Sequence, residues 1–386
     1  CEQVEDPKQL GGRRLVKRAV VEVVTPGLVG DPSGIDGSEE IALVALSPAS
    51  AEHRASLAAM DASTGDFRTT SAGDANPLEP LPHALIEELQ RIGPREILLG
   101  EGDQESLGAK LQEILPDSVI TAIPAAFFLP EAVPVEPEGF STCSGPGARR
   151  AAGALLAYLG ENQPFALDHA PRLREYELGD TVILDASTRD HLELFRNGDD
   201  GTRRGSLIAT LDRTRTPLGA RRLARWVGYP LKDTDTIQAR QEAVAWLTSS
   251  DQQRTRLGDA LAGVRDLERI LAKAARPTSV PRDLGILRLS LRALPDVAAA
   301  VNGDDSVLFG KQAEGSMPRP SGIPVPEPLP ALTRLLEEAL VDDPPVIARG
   351  SRGANETDYI RPGYHNDLDA IHEGARKGRD WIAGLE

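Results

Sequence analysis

The pattern of secondary-structure signals changes near Pro171, and this change constrains the fold more than any other feature. Before it, short apolar runs such as residues 41–46 and 55–61 alternate with turns and helical patterns. After it, strand signals nearly vanish, and apolar residues recur at the helical spacing, as in 261–271 and 332–340. Strands followed by helices predict an α/β layered domain and then an all-α domain.

Length and composition limit the class of protein. The chain has 386 residues, which at about 100–200 residues per domain predicts two or three domains. Hydrophobic residues make up 40% and charged residues 26%, which excludes wholesale disorder and a membrane protein. Cys1 and Cys143 are too few for a disulfide framework or a cysteine zinc site, so we expect a reducing, cytoplasmic setting without a membrane.

Charge is unevenly distributed along the chain. The net charge is −16, yet residues 201–300 hold 18 Lys and Arg against 10 Asp and Glu. We interpret this basic stretch as a solvated helical face. A second basic cluster precedes a strand predicted over 19–24, and its side chains are candidates for contacts with a DNA backbone. These candidates are Arg13, Arg14, Lys17 and Arg18.

The first part of the chain predicts an α/β layer over about residues 36–165. Three strands joined by short turns indicate an antiparallel meander, and alternating helices and strands follow. The predicted strands are 41–46, 55–61, 67–70, 96–99 and 119–123. The predicted helices are 85–92, ended by Gly93, and 148–159.

The second part predicts a helical scaffold. Thr216 is a suitable N-cap with Pro217 at the first helical position, and Pro230 ends that helix. Asp233 can cap the next helix. Six prolines between 318 and 330 predict an exposed, polyproline-like linker.

The search for catalytic machinery finds little. No phosphate loop of the Gly-x-x-x-x-Gly-Lys-Ser/Thr type is present, and the nearest candidate, residues 201–206, has the wrong spacing and no lysine. His365, Asp369 and His372 could share one helical face, but we favour surface histidines over a metal site. Asp61 and Asp66 superficially resemble a two-metal site, but their spacing is typical of a hairpin turn, which we favour.

The most specific string lies between residues 184 and 247. Its central part reads Leu211-Asp212-Arg213-Thr214-Arg215-Thr216-Pro217-Leu218-Gly219-Ala220-Arg221-Arg222-Leu223, and Trp226, Pro230-Leu231, Asp233 and Arg240-Gln241 follow. This string resembles the core, or lever, domain of the MutS family of DNA mismatch repair proteins. Segments 264–271, 281–284, 343–345 and 363–369 look like the same family, as do 1–3 and 24–27. The lever motif comprises Asp212, Thr216, Pro217, Gly219, Arg221, Trp226 and Pro230.

The resemblance implies a domain order. Residues 1–27 would be the tail of a mismatch-recognition domain, and 28–170 a connector domain with a ribonuclease-H-like mixed sheet. Residues 171–386 would be the helical core, or lever, leading into a DNA clamp, with a Pro-rich insertion at 310–330. The full-length family implies mismatched double-stranded DNA, a homodimer, a MutL-type repair partner and a sliding clamp as partners, and ATP or ADP with Mg as cofactors.

The departures from the family pattern limit the implied function. None of the phenylalanines is followed two residues later by Glu, so the family's Phe-x-Glu mismatch wedge is absent, as is its phosphate loop. We therefore expect a fragment cut at both ends that holds no cofactor, neither binds nor hydrolyses ATP, and supplies the connector and lever between DNA and an ATPase. The alternatives are a stand-alone module that binds repair partners and a metal-dependent nuclease of ribonuclease-H-like fold.

Overall fold

The computed structural model describes residues 2–3, 18–20, 22–29, 34–167, 172–276, 279–302, 320, 322–345 and 359–384. The chain divides into two units. One comprises Cys1–Ala245 with Leu271–Pro277, and the other comprises Trp246–Ile270 with Thr278–Glu386.

A six-stranded mixed sheet forms the centre of the first unit. Its strands are β3 (Leu43–Ser47), β4 (Ala55–Asp61), β5 (Asp66–Ala72), β6 (Glu96–Gly100), β7 (Val119–Ile123) and β8 (Leu173–Glu175). The strand order is β7-β6-β3-β4-β5-β8, and only β4 runs antiparallel to its neighbours. Two further strands, β1 (Glu2–Gln3) and β2 (Arg18–Ala19), pair with each other. The predicted α/β layer is confirmed.

The hairpin between β4 and β5 shows why the predicted turn forms. The carboxylate of Asp61 accepts hydrogen bonds from the backbone N–H and the hydroxyl of Ser63, at 2.8 and 2.6 Å. Its other oxygen accepts the backbone N–H of Ile41 at 3.1 Å. Gly65 supplies the positive φ that the turn requires, at 79°. Asp61 therefore serves the turn, as the sequence pattern favoured.

Helices cover both faces of this sheet. They are α1 (His83–Ile92), α2 (Glu101–Ile114) and α3 (Pro146–Asn162). The alanines of α3 allow a close approach to β3 and β4, and Leu155 is fully buried there. On the other face, Leu85 and Leu89 of α1 are equally buried. Each fully buried leucine stabilises such a core by about 1.5–3 kcal/mol.

Three details of the sheet differ from the sequence pattern. Of the strand predicted over 19–24, residue 19 lies in β2, residues 20 and 22–24 lie outside any strand, and residue 21 lies outside the described residues. Helix α2 was not predicted, because its apolar positions are sparse and it carries two internal glycines, Gly102 and Gly108. Strand β8 lies beyond residue 170, so the sheet extends past the predicted end of the connector. The predicted boundaries at 27 and 170 remain predictions.

Helices predominate in the rest of the chain, as predicted. They are α4 (Ala186–His191), α5 (Leu207–Leu211), α6 (Pro217–Gly228), α7 (Thr234–Thr248), α8 (Asp251–Ala262), α9 (Leu267–Ala274), α10 (Pro281–Asn302), α11 (Pro330–Ala339) and α12 (Asn366–Ala383). In the second unit, Leu287 and Leu291 of α10 pack against Leu336 and Leu340. Among the described helices, none combines the length and apolar composition of a membrane span.

The interpretation of the basic stretch as a solvated face is wrong for four of its arginines. Arg221, Arg269, Arg276 and Arg288 are between 2% and 6% exposed. The guanidinium of Arg288 donates hydrogen bonds to the carbonyl oxygens of residues 340, 341 and 342, at 3.1, 2.9 and 2.6 Å. Burial of these guanidinium groups depends on pairing with backbone carbonyls and carboxylates, which hydropathy patterns do not reveal, although the Nε atom of Arg288 lacks a hydrogen-bond partner among the described residues.

The Pro-rich segment is described only in part. Residues 310–319 and 321 lie outside the described residues. Residues 322–329 belong to no helix or strand, and α11 begins at Pro330. The absence of regular structure in 322–329 agrees with the predicted linker. The prediction that the segment is exposed is wrong for Ile323 and Val325, because both pack against a hydrophobic cluster of the second unit.

Candidate functional site

The site is the junction between α6 and the sheet, and its first element is the start of α6. Thr216 Oγ1 accepts the backbone N–H of Gly219 at 3.1 Å, and Pro217 occupies the first helical position. The predicted N-cap is confirmed. A Cβ atom at position 219 would lie 3.0 Å from Thr216 Oγ1, which explains the glycine.

Asp212 shapes the turn that leads into this cap. Its Oδ1 accepts the backbone N–H and the hydroxyl of Thr214, at 3.0 and 2.6 Å. Its Oδ2 pairs with Arg203, whose guanidinium also donates to the Ser38 hydroxyl at 3.3 Å. Burial alone would raise the pKa of Asp212, but the Thr214 hydrogen bonds and then Arg203 lower it. The carboxylate therefore stays ionised and holds the turn.

Two arginines of α6 contact the sheet side of the first unit. Arg221 donates to the carbonyl oxygen of Gly37 at 2.7 Å. Arg225 donates to Asp66 Oδ2 at 2.6 Å and lies 3.2 Å from a carboxylate oxygen of Glu40. These contacts attach α6 to β5 and to the segment before β3.

Arg68 and Arg225 share the same two carboxylates. Arg68 lies 3.1 Å from Asp66 and 3.8 Å from Glu40. Burial alone would raise the pKa of Asp66, but the charges of Arg68 and Arg225 outweigh it and hold that pKa below its usual range. The four groups thus form a charge-balanced network of two guanidinium groups and two carboxylates.

A buried carboxylate lies at the other end of α6. The Glu88 side chain is fully buried in α1, and its Oε1 accepts the hydroxyl groups of Tyr176 and Tyr229, at 2.6 and 3.1 Å. Its Oε2 accepts Arg91 Nε at 2.7 Å. The Arg91 guanidinium also lies 4.1 Å from the centre of the Tyr229 ring. Because Tyr229 directly follows α6, this cluster connects the end of that helix to α1.

Backbone pairing completes the junction. The N–H of Val182 donates to the carbonyl oxygen of Pro230 at 2.7 Å, and Thr181 forms an isolated antiparallel bridge with Leu231. Pro230 therefore both follows the end of α6 and accepts a hydrogen bond there.

Comparison with known proteins relates this junction to two neighbouring domains. The family model of MutS domain II matches residues 41–127, and that of MutS domain III matches residues 187–368. The chain belongs to the MutS family. Asp66 and Glu88 lie in the segment that matches MutS domain II, whereas Arg225 and Tyr229 lie in the segment that matches MutS domain III. The junction therefore joins segments of two MutS domains.

Three relatives, each named DNA mismatch repair protein MutS, align with the whole chain. The protein from Methanothrix thermoacetophila is 35% identical over 393 residues, and that from Syntrophobacter fumaroxidans is 34% identical over 397 residues. The protein from Anaeromyxobacter sp. (strain K) is 36% identical over 397 residues. Each alignment covers 100% of this chain and 41–42% of the relative. The chain therefore spans about two fifths of the length of these MutS relatives.

The structure describes the other predicted sites in different detail. Arg13, Arg14 and Lys17 lie outside the described residues, and Arg18 lies in β2. Trp226 of the lever motif is half-exposed, and the Arg240 guanidinium lies 3.8 Å from its ring centre. The functional roles predicted for the basic cluster before β2 and for the lever motif remain predictions.

The motifs that we interpreted as structural have local roles. In the segment 201–206, Ser206 Oγ accepts the N–H of Ala209 at the start of α5, a helix of only five residues. The side chain of Asp369 accepts the N–H of Gly363 at 2.9 Å. Within the described residues, no group of three or more His, Cys, Asp or Glu side chains has the geometry to hold a metal ion.

The sequence analysis did not predict the burial of two carboxylates. Glu88 lies between Leu85 and Leu89 on the apolar side of α1, and Glu96 begins the buried strand β6. The Glu96 carboxylate accepts hydrogen bonds from the hydroxyl groups of Thr25 and Thr121, at 2.5 and 2.7 Å. It also accepts the Gly27 N–H and the Tyr158 hydroxyl, both at 2.9 Å. Burial and the neighbouring Glu96 raise the pKa of Tyr158 to about 12. In both cases the available signal was an acidic residue at an apolar position of the pattern.

Proposed function

We propose that this chain is the connector and lever part of a MutS-family mismatch repair protein, and that it couples DNA binding to the nucleotide state of an ATPase domain. The observation that carries the proposal is the contact of Arg225 in α6 with Asp66 in β5, at 2.6 Å. It joins the sheet to the first long helix of the segment that matches MutS domain III.

The energetics of the junction favour transmission of movement. Removing one member of a buried ion pair typically costs about 3–5 kcal/mol, because the remaining charge is left uncompensated. The Asp66–Arg225 pair lies in the last turn of α6 with side chains 22% and 24% exposed, so it contributes less than a fully buried pair. The buried Glu88 adds a hydrogen bond from Tyr229, directly after α6. A displacement of α6 would therefore move the sheet rather than break the junction, which is what a coupling element requires.

The finer features of the family are part of the same proposal. The order β7-β6-β3-β4-β5, with only β4 antiparallel, supports a ribonuclease-H-like connector. We propose that the chain itself is not an ATPase and that it works in the cytoplasm. In the complete protein, we propose a homodimer on mismatched DNA, with a MutL-type partner and a sliding clamp as further contacts and ATP, ADP and Mg as cofactors.

The test is a chimera in which this chain replaces the aligned segment of the MutS protein from Anaeromyxobacter sp. (strain K). In this chimera, Asp66→Asn removes the charge that holds Arg225 and Arg68. We expect the variant to keep its ATP turnover without DNA and its affinity for a G·T-mismatched duplex. The stimulation of ATP turnover by that duplex should decrease several-fold.

Asp251→Asn is the matched control. Asp251 pairs with Arg254 on the same helix, and the Asp251 side chain is 87% exposed. Asp251→Asn therefore removes the same charge as Asp66→Asn but leaves no buried arginine without its carboxylate. The control should behave like the parent chimera. Unchanged DNA stimulation in Asp66→Asn, in a protein with normal circular dichroism, would refute the role of this junction in coupling.

A further inference from the structure

The first unit contains a cavity beside the junction. It has a volume of about 250 Å³ and lies between the β5–β8 edge of the sheet and helices α6 and α7. Arginine and aromatic side chains from these elements line it, including Arg174, Arg222, Arg240, Trp226 and Tyr229. The exposed surface inside the cavity is mostly apolar, although its charged groups are cationic with the exception of Asp66.

The positive charge of this cavity is only partly balanced. Asp66 and Glu40 neutralise Arg68 and Arg225, as described above. Among the described residues, no carboxylate lies within 4.0 Å of the guanidinium groups of Arg174, Arg222 or Arg240. Three cationic groups therefore face one small space in a protein whose net charge is −16.

Aromatic stacking holds two of these groups in place. The Arg240 guanidinium lies 3.8 Å from the centre of the Trp226 ring, and that of Arg222 lies 5.7 Å from it. A guanidinium that lies over a ring keeps its N–H donors free at its edge, where they can bind an anion. Burial, and next the charge of Arg222, lower the pKa of Arg240. An anion between the two would relieve this repulsion.

A buried donor also lacks an acceptor. Arg68 lines the cavity, and its Nε is buried without a hydrogen-bond partner among the described residues. A buried donor without a partner has lost its hydrogen bonds to water without replacement, so an oxyanion that reached it would gain a favourable contact.

We propose that this cavity binds a single nucleotide unit, with its phosphate at Arg174, Arg222 and Arg240 and its base against the apolar walls formed by Trp226 and Tyr229. Arginine forks match phosphate oxygens, and three cations suit a dianionic phosphomonoester better than a single carboxylate. A cavity of about 250 Å³ has room for one small ligand, so the proposal is a single nucleotide unit rather than a longer stretch of strand or a triphosphate. The ligand is either a free nucleoside monophosphate or the 5′-phosphorylated end of a strand.

Calorimetric titration of the whole chain with thymidine monophosphate tests the assignment. We expect saturable binding that weakens about ten-fold or more in Arg240→Gln, because a hydrogen bond to a charged group is lost. Arg334→Gln is the control, because Arg334 is an exposed residue of α11 in the second unit. The control should bind like the unmodified chain, and circular dichroism of both variants should be unchanged.

Further titrations define the ligand. Tighter binding of a 5′-phosphorylated octathymidylate than of the monophosphate would support a strand end, and the reverse order would support a free nucleotide. Inorganic phosphate should bind at least ten-fold more weakly than the monophosphate, since it has no base. Equal binding of inorganic phosphate, ATP binding as tight as that of the monophosphate, or no saturable binding at millimolar concentration would overturn the proposal. None of these results depends on the coupling role of the junction.

Discussion

Replacing Glu88 by Gln should strongly destabilise the first unit. The side chain is fully buried, and the carboxylate is bonded to Arg91, Tyr176 and Tyr229. Glutamine preserves the volume and removes the charge, so the Arg91 guanidinium, only 5% exposed, loses its ionic partner. Breaking a buried pair in this way costs about 3–5 kcal/mol. We expect a loss near the lower end, because Arg91 keeps its contacts with Thr181 and the Tyr229 ring.

Urea-induced unfolding followed by circular dichroism measures this cost. Hydrogen exchange at α1 and α6 would assign the transition to the first unit, since a chain of two units need not unfold in one step. Tyr229→Phe is the graded comparison, because it removes one hydrogen bond to the carboxylate and should cost about 1.5–3 kcal/mol.

A second substitution separates charge from packing. If the uncompensated Arg91 causes the loss, combining Glu88→Gln with Arg91→Met should recover part of the stability, because a buried pair replaced by apolar groups is often close to neutral. A loss below about 1 kcal/mol for Glu88→Gln, or no recovery in the double variant, would refute the reasoning.

Four further predictions concern other parts of the chain. Thr216→Ala should destabilise α6 by about 0.5–2 kcal/mol in urea unfolding, because the N-cap is lost; an unchanged midpoint would contradict this role. Arg288→Leu should cost about 2–3 kcal/mol in the second unit, because three carbonyl oxygens lose a charged donor, and faster hydrogen exchange in α10 and α11 would report it. The pKa of Asp66 in the folded chain lies below its ordinary value of 3.8. The ionised Asp66 carboxylate therefore stabilises the fold above about pH 4, and this stabilisation is lost as the pH falls through the lowered pKa. The stability difference between the unmodified chain and Asp66→Asn should therefore be constant from about pH 5 to 7 and shrink below about pH 4, and a difference that stays constant down to pH 2 would argue against the depressed pKa. Fluorescence anisotropy at two salt concentrations should detect no preference for a G·T duplex over a homoduplex, with a dissociation constant no tighter than about 10⁻⁶ M at physiological salt.

Local patterns in the sequence determined several helices and strands and the family. The alternation of apolar runs and turns predicted β4 with its observed bounds, and Thr216-Pro217 predicted the start of α6. These predictions succeed because hairpin turns, N-caps and proline depend on residues only a few positions apart. The same string from Asp212 to Pro230 indicated the MutS family, which the family models and relatives support.

The partners of the charged side chains were decided only by the tertiary structure. Arg225 belongs to the basic stretch that we interpreted as a solvated helical face, yet it contacts Asp66, 159 residues away in the sequence. Glu88 and Tyr229 meet across 141 residues. Whether a charged group is solvated or buried depends on which opposite charge the fold brings to it, because an unpaired charge cannot be buried without a large desolvation cost. A periodic pattern predicts the helix face on which a residue lies. The group that this residue contacts depends on the fold of the whole chain.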